Sequence, residues 1–286
     1  MSAERERNAV EKGTLYVVAT PIGNMSDVSE RAVKILSEVD FVAAEDTRNS
    51  GLLLSRLGIK RPMVAYHEHN RASAGPAIIE RLLSGESCAI VTDAGTPAVS
   101  DPGEDLVKLA ADAGITVRPV PGCCAAISAL SVSALPSRHF YFEGFLPFKG
   151  KERRERIAYT SSISDTVIIY EAPHRLVRTL EELSLSFGDE RRVSVCRELT
   201  KLNEEVRRGS LGEIRDYYAA NEPRGEFVLV IEGAAQCAGK AEETDPAKLV
   251  ARHVAEGMTE KDAIKAAAAE LGLPKSEVYA AVKIKD

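Results

Sequence analysis

Short β-type runs alternate with helical runs along most of this chain, and each strand-like run of the first half leads into a loop or turn. Thr14 to Ala19, Phe41 to Ala44, Met63 to Tyr66, Ser87 to Thr92 and Ile115 to Val120 read as extended. Between and after them, Val28 to Ser37, Thr47 to Leu57, Ala77 to Leu83, Glu104 to Ala113 and Cys124 to Leu135 carry apolar residues at helical spacing,. Three of these helices stop at Gly58, Gly85 and Gly114, where glycine accepts the left-handed cap conformation without strain,. The pattern restarts after Pro136. Extended runs cover His139 to Phe142, Thr166 to Tyr170, Arg192 to Arg197, Glu205 to Gly209 and Phe227 to Glu232, with helices over Lys151 to Thr160, Arg175 to Phe187 and Leu211 to Ala220. Such alternation predicts an α/β architecture. The adjacent runs near Arg197 and Glu205 predict some antiparallel pairing in the second half.

A chain of 286 residues is too long for one ordinary core,. The expected division is a flexible N-terminus over 1–12, an α/β domain over 13–135, a second over 136–234, a polar linker over 235–246, and a helical segment over 247–286. Pro136 marks a hinge at Ala134 to Arg138. In the last segment Thr259 can cap a helix, and Leu271-Gly272-Leu273-Pro274 makes a turn, the outline of a helix-turn-helix,. Trp is absent, so aliphatic residues do most of the packing. The net charge of −6 argues against non-specific nucleic-acid binding, but an average does not exclude a local basic face,. Five cysteines without a Cys-x-x-Cys pair fit reduced thiols,. Residues 1–12 lack an apolar signal region, and no apolar run reaches membrane-span length. A soluble, cytoplasmic enzyme is expected, with no metal, since the histidines have no zinc-motif spacing.

Four loops follow strands and precede helices, at the sheet edge where open α/β folds bind ligands. They are Ala19 to Asn24, Ala44 to Arg48, Thr92 to Gly103 and Pro119 to Gly122. The third is long and holds two Gly, two Pro and two Asp; ordered loops of that length are usually functional,. No dinucleotide, Walker or nucleophile-elbow motif is present.

These loops, in this order, resemble the tetrapyrrole-methylase superfamily of S-adenosylmethionine-dependent methyltransferases. The resemblance is carried by Thr20-Pro21-Ile22-Gly23-Asn24, Ala44-Glu45-Asp46-Thr47-Arg48, Tyr66-His67-Glu68-His69-Asn70, Thr92-Asp93-Ala94-Gly95-Thr96-Pro97 and Ser100-Asp101-Pro102-Gly103. It continues through Tyr170-Glu171-Ala172-Pro173-His174-Arg175, Glu198-Leu199-Thr200-Lys201 and Gly225-Glu226-Phe227-Val228-Leu229. Within the superfamily it points to the branch that methylates the ribose 2′-hydroxyl of a cytidine in small-subunit ribosomal RNA. It implies two α/β domains with the cofactor in the cleft between them, and a homodimer acting on RNA or the small subunit. Mapped onto this chain, the implied cofactor contacts are Pro21, Asp93, Ala94, Gly95, Ser100, Cys124, Ala125, Tyr170 and Leu199. The chain departs from the expected pattern at Cys123, where Pro is expected, and at Asn203, where His is expected.

A ribose hydroxyl is a poor nucleophile at neutral pH, so a general base is expected. Glu45, Asp46, His67, Glu68, His69, Glu171 and His174 are candidates, and an extended run would point His67 and His69 the same way. Arg48 and Arg175 suit phosphate, and Asp46 also stands where a helix N-cap belongs. The catalytic set is therefore drawn from Glu45, Asp46, Arg48, Glu171 and His174. Lys149, Lys151, Arg153, Arg154 and Arg156, with Arg175, form the candidate RNA-binding cluster. The alternatives are a methylase of a tetrapyrrole or other small acceptor, and a non-catalytic RNA-binding or ribosome-assembly module.

Overall fold

The computed structural model describes residues 9–235 and 245–283. Residues 1–8, 236–244 with Cys237, and 284–286 lie outside the described residues, and with them most of the expected N-terminal segment and linker. The chain forms two compact units, 1–233 and 234–286.

The first unit contains two five-stranded sheets. In the first sheet, β1 (Thr14–Val18), β2 (Phe41–Ala44), β3 (Met63–Ala65), β4 (Cys88–Val91) and β5 (Thr116–Val120) lie in the order β3-β2-β4-β1-β5. All are parallel. The crossovers are α1 (Glu30–Glu38), α2 (Thr47–Arg56), α3 (Arg71–Leu83) and α4 (Gly103–Asp112). Side chains of period two divide between two cores: Tyr16, Val18, Val42 and Ala44 on one face, Leu15, Phe41, Ala43 and Cys88 on the other,. Helices therefore cover both faces, and β2 and β4 are buried throughout,. The chain reverses strand order between β1 and β4, the switch point where open parallel sheets hold ligands.

After α5 (Ala125–Val132), the link over 133–139 leads to the second sheet. Its strands β6 (Phe140–Phe145), β7 (Thr166–Glu171), β8 (Arg192–Arg197), β9 (Glu205–Ser210) and β10 (Phe227–Ile231) run in the order β6-β7-β10-β8-β9. Only β6 and β7 are parallel; β8 and β9 pair antiparallel, as their proximity in sequence predicts. The helices are α6 (Gly150–Ser162), α7 (Pro173–Phe187) and α8 (Leu211–Ala220), the last opened by a Ser210–Glu213 capping box,.

Three elements differ from the sequence reading by three residues or more at one end, among them α5, which stops at Val132, short of Leu135. Helix α3 begins at Arg71, well before Ala77, and accommodates Pro76 in its second turn, where the ring forfeits one bond to the Ala72 carbonyl,. Strand β6 extends to Phe145 through a bulge between Phe142 and Gly144,.

The second unit holds α9 (Pro246–Ala255), α10 (Glu260–Leu271) and α11 (Lys275–Lys283) around Leu249, Val250, Ile264, Ala267 and Val278. Asp245 and Thr259 cap α9 and α10, and Gly272, at φ 63°, ends α10,.

Arg153 has only 2% of its surface exposed. Its Nε pairs with Glu182 at 2.6 Å, Nη2 donates to Thr179 Oγ1 at 2.7 Å, and Nη1 donates to the Pro147 carbonyl at 2.9 Å. Breaking a buried pair by removing one partner costs about 3–5 kcal/mol. Urea unfolding should show a loss of that order for Arg153→Ala, against a change within about 0.5 kcal/mol for exposed Arg154→Ala,.

Candidate active site

A cleft of about 580 Å³ opens at the C-terminal edge of the first sheet, faced by the ends of β7, β8 and β10. Its volume lies within the range of about 300–1,000 Å³ common for small-molecule sites. The loop after β4 forms its floor. Thr20 N donates to Gly95 O at 2.8 Å and Gly95 N to Thr20 O at 3.1 Å, so this loop is bridged to the Pro-containing loop after β1. Thr96 Oγ1 then donates to Cys123 O at 2.9 Å, fixing the turn after β5. Ala98 and Ser100 adopt left-handed backbones (φ 66° and 63°). Asp101 Oδ1 holds that kink by accepting from Ala98 N at 2.8 Å and Gly103 N at 2.7 Å. Strained non-glycine backbone of this kind persists only where its surroundings over-determine it, and it clusters at functional sites.

Two glycines let the halves close on each other. A Cβ on Gly144 would lie 2.4 Å from Ser100 Oγ, and one on Gly23 would lie 2.4 Å from Lys201 Cγ and 3.1 Å from Leu199 O. On the far wall, Tyr170 accepts from Ala126 N at 3.0 Å, and the Phe142 and Phe145 rings meet it edge-on. Burial, then the neighbouring Cys124, pushes the Tyr170 hydroxyl up to about 12, so it stays protonated. Burial also lifts the Cys196 thiol to about 11.

The cleft brings together Asp93, Ala94, Gly95, Ser100, Cys124, Ala125, Tyr170 and Leu199 of the expected cofactor set, and Glu45, Glu171 and His174 of the expected catalytic set. Pro21 does not line it; its neighbour Ile22 does. Asp46 and Arg48 lie outside it, because they close on each other. Asp46 caps α2 by accepting from Arg48 N at 2.8 Å, and the Arg48 guanidinium grips the same carboxylate at 3.1 and 2.7 Å. Those bonds hold the Asp46 carboxyl down to about 2. Glu171 lies at the cleft wall, yet its oxygens accept from Thr179 Oγ1 at 2.6 Å and Ala172 N at 2.9 Å and pair with Arg175 at 3.2 Å.

The run from His67 to Asn70 is a turn, not the expected extended segment. Asn70 folds it by accepting from His67 N at 2.8 Å and donating to Ala65 O at 2.9 Å. The two imidazole rings lie 6.0 Å apart, and neither they nor Glu68 reach the cleft.

The basic cluster also divides. Arg153 is buried, Arg156 is taken by Glu143 and Tyr141, and Arg175 by Glu171 and the Leu146 carbonyl, so these three are not free for phosphate. Lys149, Lys151 and Arg154 remain exposed, with Lys151 paired to Glu155 at 3.4 Å.

Sequence reading missed Phe145 and Cys196, which carry no local signal of a site. Glu226, Phe227 and Val228 also line the cleft, and they sit within a segment whose motif was visible.

Among the described residues no lysine or arginine lines the cavity, whereas Glu45, Asp93, Asp101, Glu171 and Glu226 do, the last two paired from outside by Arg175 and Lys201, beside apolar Ile22, Val99, Ala125, Leu199 and Val228. An acidic cavity with apolar walls suits a cationic ligand carrying a flat apolar group. Among the described residues, no group of three or more His, Cys, Asp or Glu side chains could hold a metal ion.

Residues 14–215 match the family described as tetrapyrrole (corrin/porphyrin) methylases. The chain belongs to that methylase family. Proteins named ribosomal RNA small subunit methyltransferase I are its relatives: that of Halalkalibacterium halodurans is 45% identical over 94% of each chain. The Xylella fastidiosa protein of the same name is 47% identical over 93% of this chain and 98% of its own length. That of Bacillus subtilis is 43% identical over 96% of each. Among solved structures, a uroporphyrin-III-C-methyltransferase from Thermus thermophilus superposes with a TM-score of 0.56 at 21% identity, covering 76% of this methylase and 94% of that chain. At that identity the likeness speaks for the fold alone.

The Asp46 cap has a pH signature. Its folded-state pKa lies below the ordinary 3.8, so its contribution to stability is present above 3.8 and is lost as pH falls toward about 2,. The stability difference between the wild type and Asp46→Asn should stay constant at neutral pH and vanish across that window when unfolding is followed by circular dichroism.

Proposed function

We propose that this methylase transfers a methyl group from S-adenosylmethionine to the ribose 2′-hydroxyl of a cytidine in small-subunit ribosomal RNA, working as a homodimer in the cytoplasm. The observation that carries this reading is the agreement between relatives at 41–50% identity over most of the chain, all bearing one name, and an acidic cleft shaped for a cationic donor. The family supplies the class of reaction, and the name of the relatives supplies the substrate.

The chemistry of the residues fits S-adenosylmethionine. The carboxylates of Asp93 and Glu226 suit its cationic and hydroxyl groups, and the walls formed by Ile22, Ala125, Leu199 and Val228 suit an adenine plane. When bound, the donor supplies an electrophilic methyl group on a sulfonium. The residues of the chain fix its orientation and that of the acceptor, from which much of the acceleration of a displacement arises. The floor loop is hydrogen-bonded to the loops after β1 and β5 and packs against Gly144 of the second sheet, and is therefore preorganised for that task.

Of the expected catalytic residues, Glu45 is best placed to take the hydroxyl proton. It lines the cleft, Thr92 Oγ1 donates to its Oε2 at 2.7 Å, and no hydrogen bond to Oε1 is found among the described residues. His174, exposed at the rim, is the second candidate. Asp46 and Arg48 serve helix α2 instead.

Radiolabelled methyl transfer to isolated small subunits, set against uroporphyrinogen as acceptor, tests the reading. Label in RNA and none in the tetrapyrrole is expected; the reverse would refute it. In the same assay Glu45→Gln should lower kcat about 100-fold with little change in donor affinity, on the scale of a lost general base, while Asp46→Asn stays within about tenfold of the wild type.

A further inference from the structure

The segment 145–149 begins at the end of β6, where Phe145 lines the cleft, and leads into α6. Two arginines pin its backbone: Arg175 Nη2 donates to Leu146 O at 2.7 Å, and Arg153 Nη1 to Pro147 O at 2.9 Å. Both are held in turn. Arg153 is fixed by Glu182 and Thr179, and Arg175 by Glu171, whose carboxylate also accepts from Thr179. Buried charge networks are costly to assemble. This one buries Leu146 and leaves the rings on either side of the pinned carbonyls in solvent, Phe145 54% and Phe148 62% exposed.

The surroundings of these rings are aromatic and basic. Phe145 lines the cleft mouth, with its ring centroid 5.4 Å from that of Tyr170. The Arg175 guanidinium lies 5.6 Å from the Phe148 ring centre. Lys149 and Arg154 are exposed and enter no ion pair among the described residues, and His174 stands at the same rim. The cavity itself is acidic and repels phosphate. An RNA strand whose ribose enters must therefore carry its backbone outside, over the basic rim, with its bases unpaired. Single strands are held in this way elsewhere, by cationic side chains beside aromatic rings on which bases stack.

We propose that Phe145 and Phe148 form a stacking platform for unpaired RNA bases beside the target nucleotide, with Lys149 and Arg154 meeting the flanking phosphates. Glu171, Arg153 and Arg175 are then positioning residues that hold the platform. The inference rests on the RNA-methylation reading above and specifies how that substrate is gripped.

Because the chain has no Trp, Phe148→Trp introduces a single reporter. Adding a short single-stranded oligoribonucleotide should quench its emission, and salt should reverse the quenching. Phe145→Ala and Phe148→Ala should each weaken oligonucleotide binding and raise KM for small subunits about tenfold, on the scale of one lost base stack. S-adenosylmethionine affinity should be unchanged in Phe148→Ala, and circular dichroism verifies the fold of each variant. Wild-type RNA affinity in both alanine variants, with an unquenched reporter, would overturn the platform while leaving methyl transfer by the wild type intact. Reporter emission that changes on dilution without RNA would also overturn it, by showing the ring covered by a second copy. A wild-type chain that neither binds nor methylates RNA would refute the underlying reading instead.

Discussion

The paired hydrogen bonds between Thr20 and Gly95 tie the loop after β1 to the loop after β4, and most of the cleft follows from them. Once bridged, the longer loop is close enough for Thr96 to hold the turn after β5. Its kink at Ala98 and Ser100 then meets Gly144 of the second sheet. The loop after β1 meets the turn at Leu199 to Lys201 through Gly23. A side chain at Gly23 would meet the Leu199 carbonyl and push the halves apart, whereas one at Gly144 would first have to displace the Ser100 hydroxyl.

Charge sets the cleft apart from its surroundings. Acidic groups line the cavity, and the lysines and arginines lie outside its lining. A chain with a net charge of −6 can therefore hold an acidic pocket and still present cations such as Lys149 and Arg154 to solvent,. Arginine itself is divided: Arg153 and Arg175 hold backbone carbonyls from within, while Arg154 faces water. Neighbours in one basic run thus have different roles, decided by which side of α6 each occupies.

Much of this was legible in the sequence, for physical reasons. Strands buried on both faces read as continuous apolar runs, and parallel β2 and β4 and antiparallel β10 are all of that kind,. The cleft loops carry Gly and Pro because their backbones demand them. The fate of individual charges was less legible. Whether Asp46 acts on substrate or caps α2 depends on the path of Arg48, and whether Arg153 faces RNA or Glu182 depends on how α6 packs on α7. Phe145 and Cys196 enter the cleft only through the pairing of the second sheet, which no local pattern encodes.

On the proposed function, one cleft built jointly by both sheets receives the methyl donor. Hydrogen exchange followed by mass spectrometry, with and without S-adenosylmethionine, tests it most directly. Exchange should slow together over 92–103, 122–126 and 196–201, with no change over 58–63, which lines a separate cavity. Protection confined to one half of the unit, or appearing at 58–63 instead, would contradict the account.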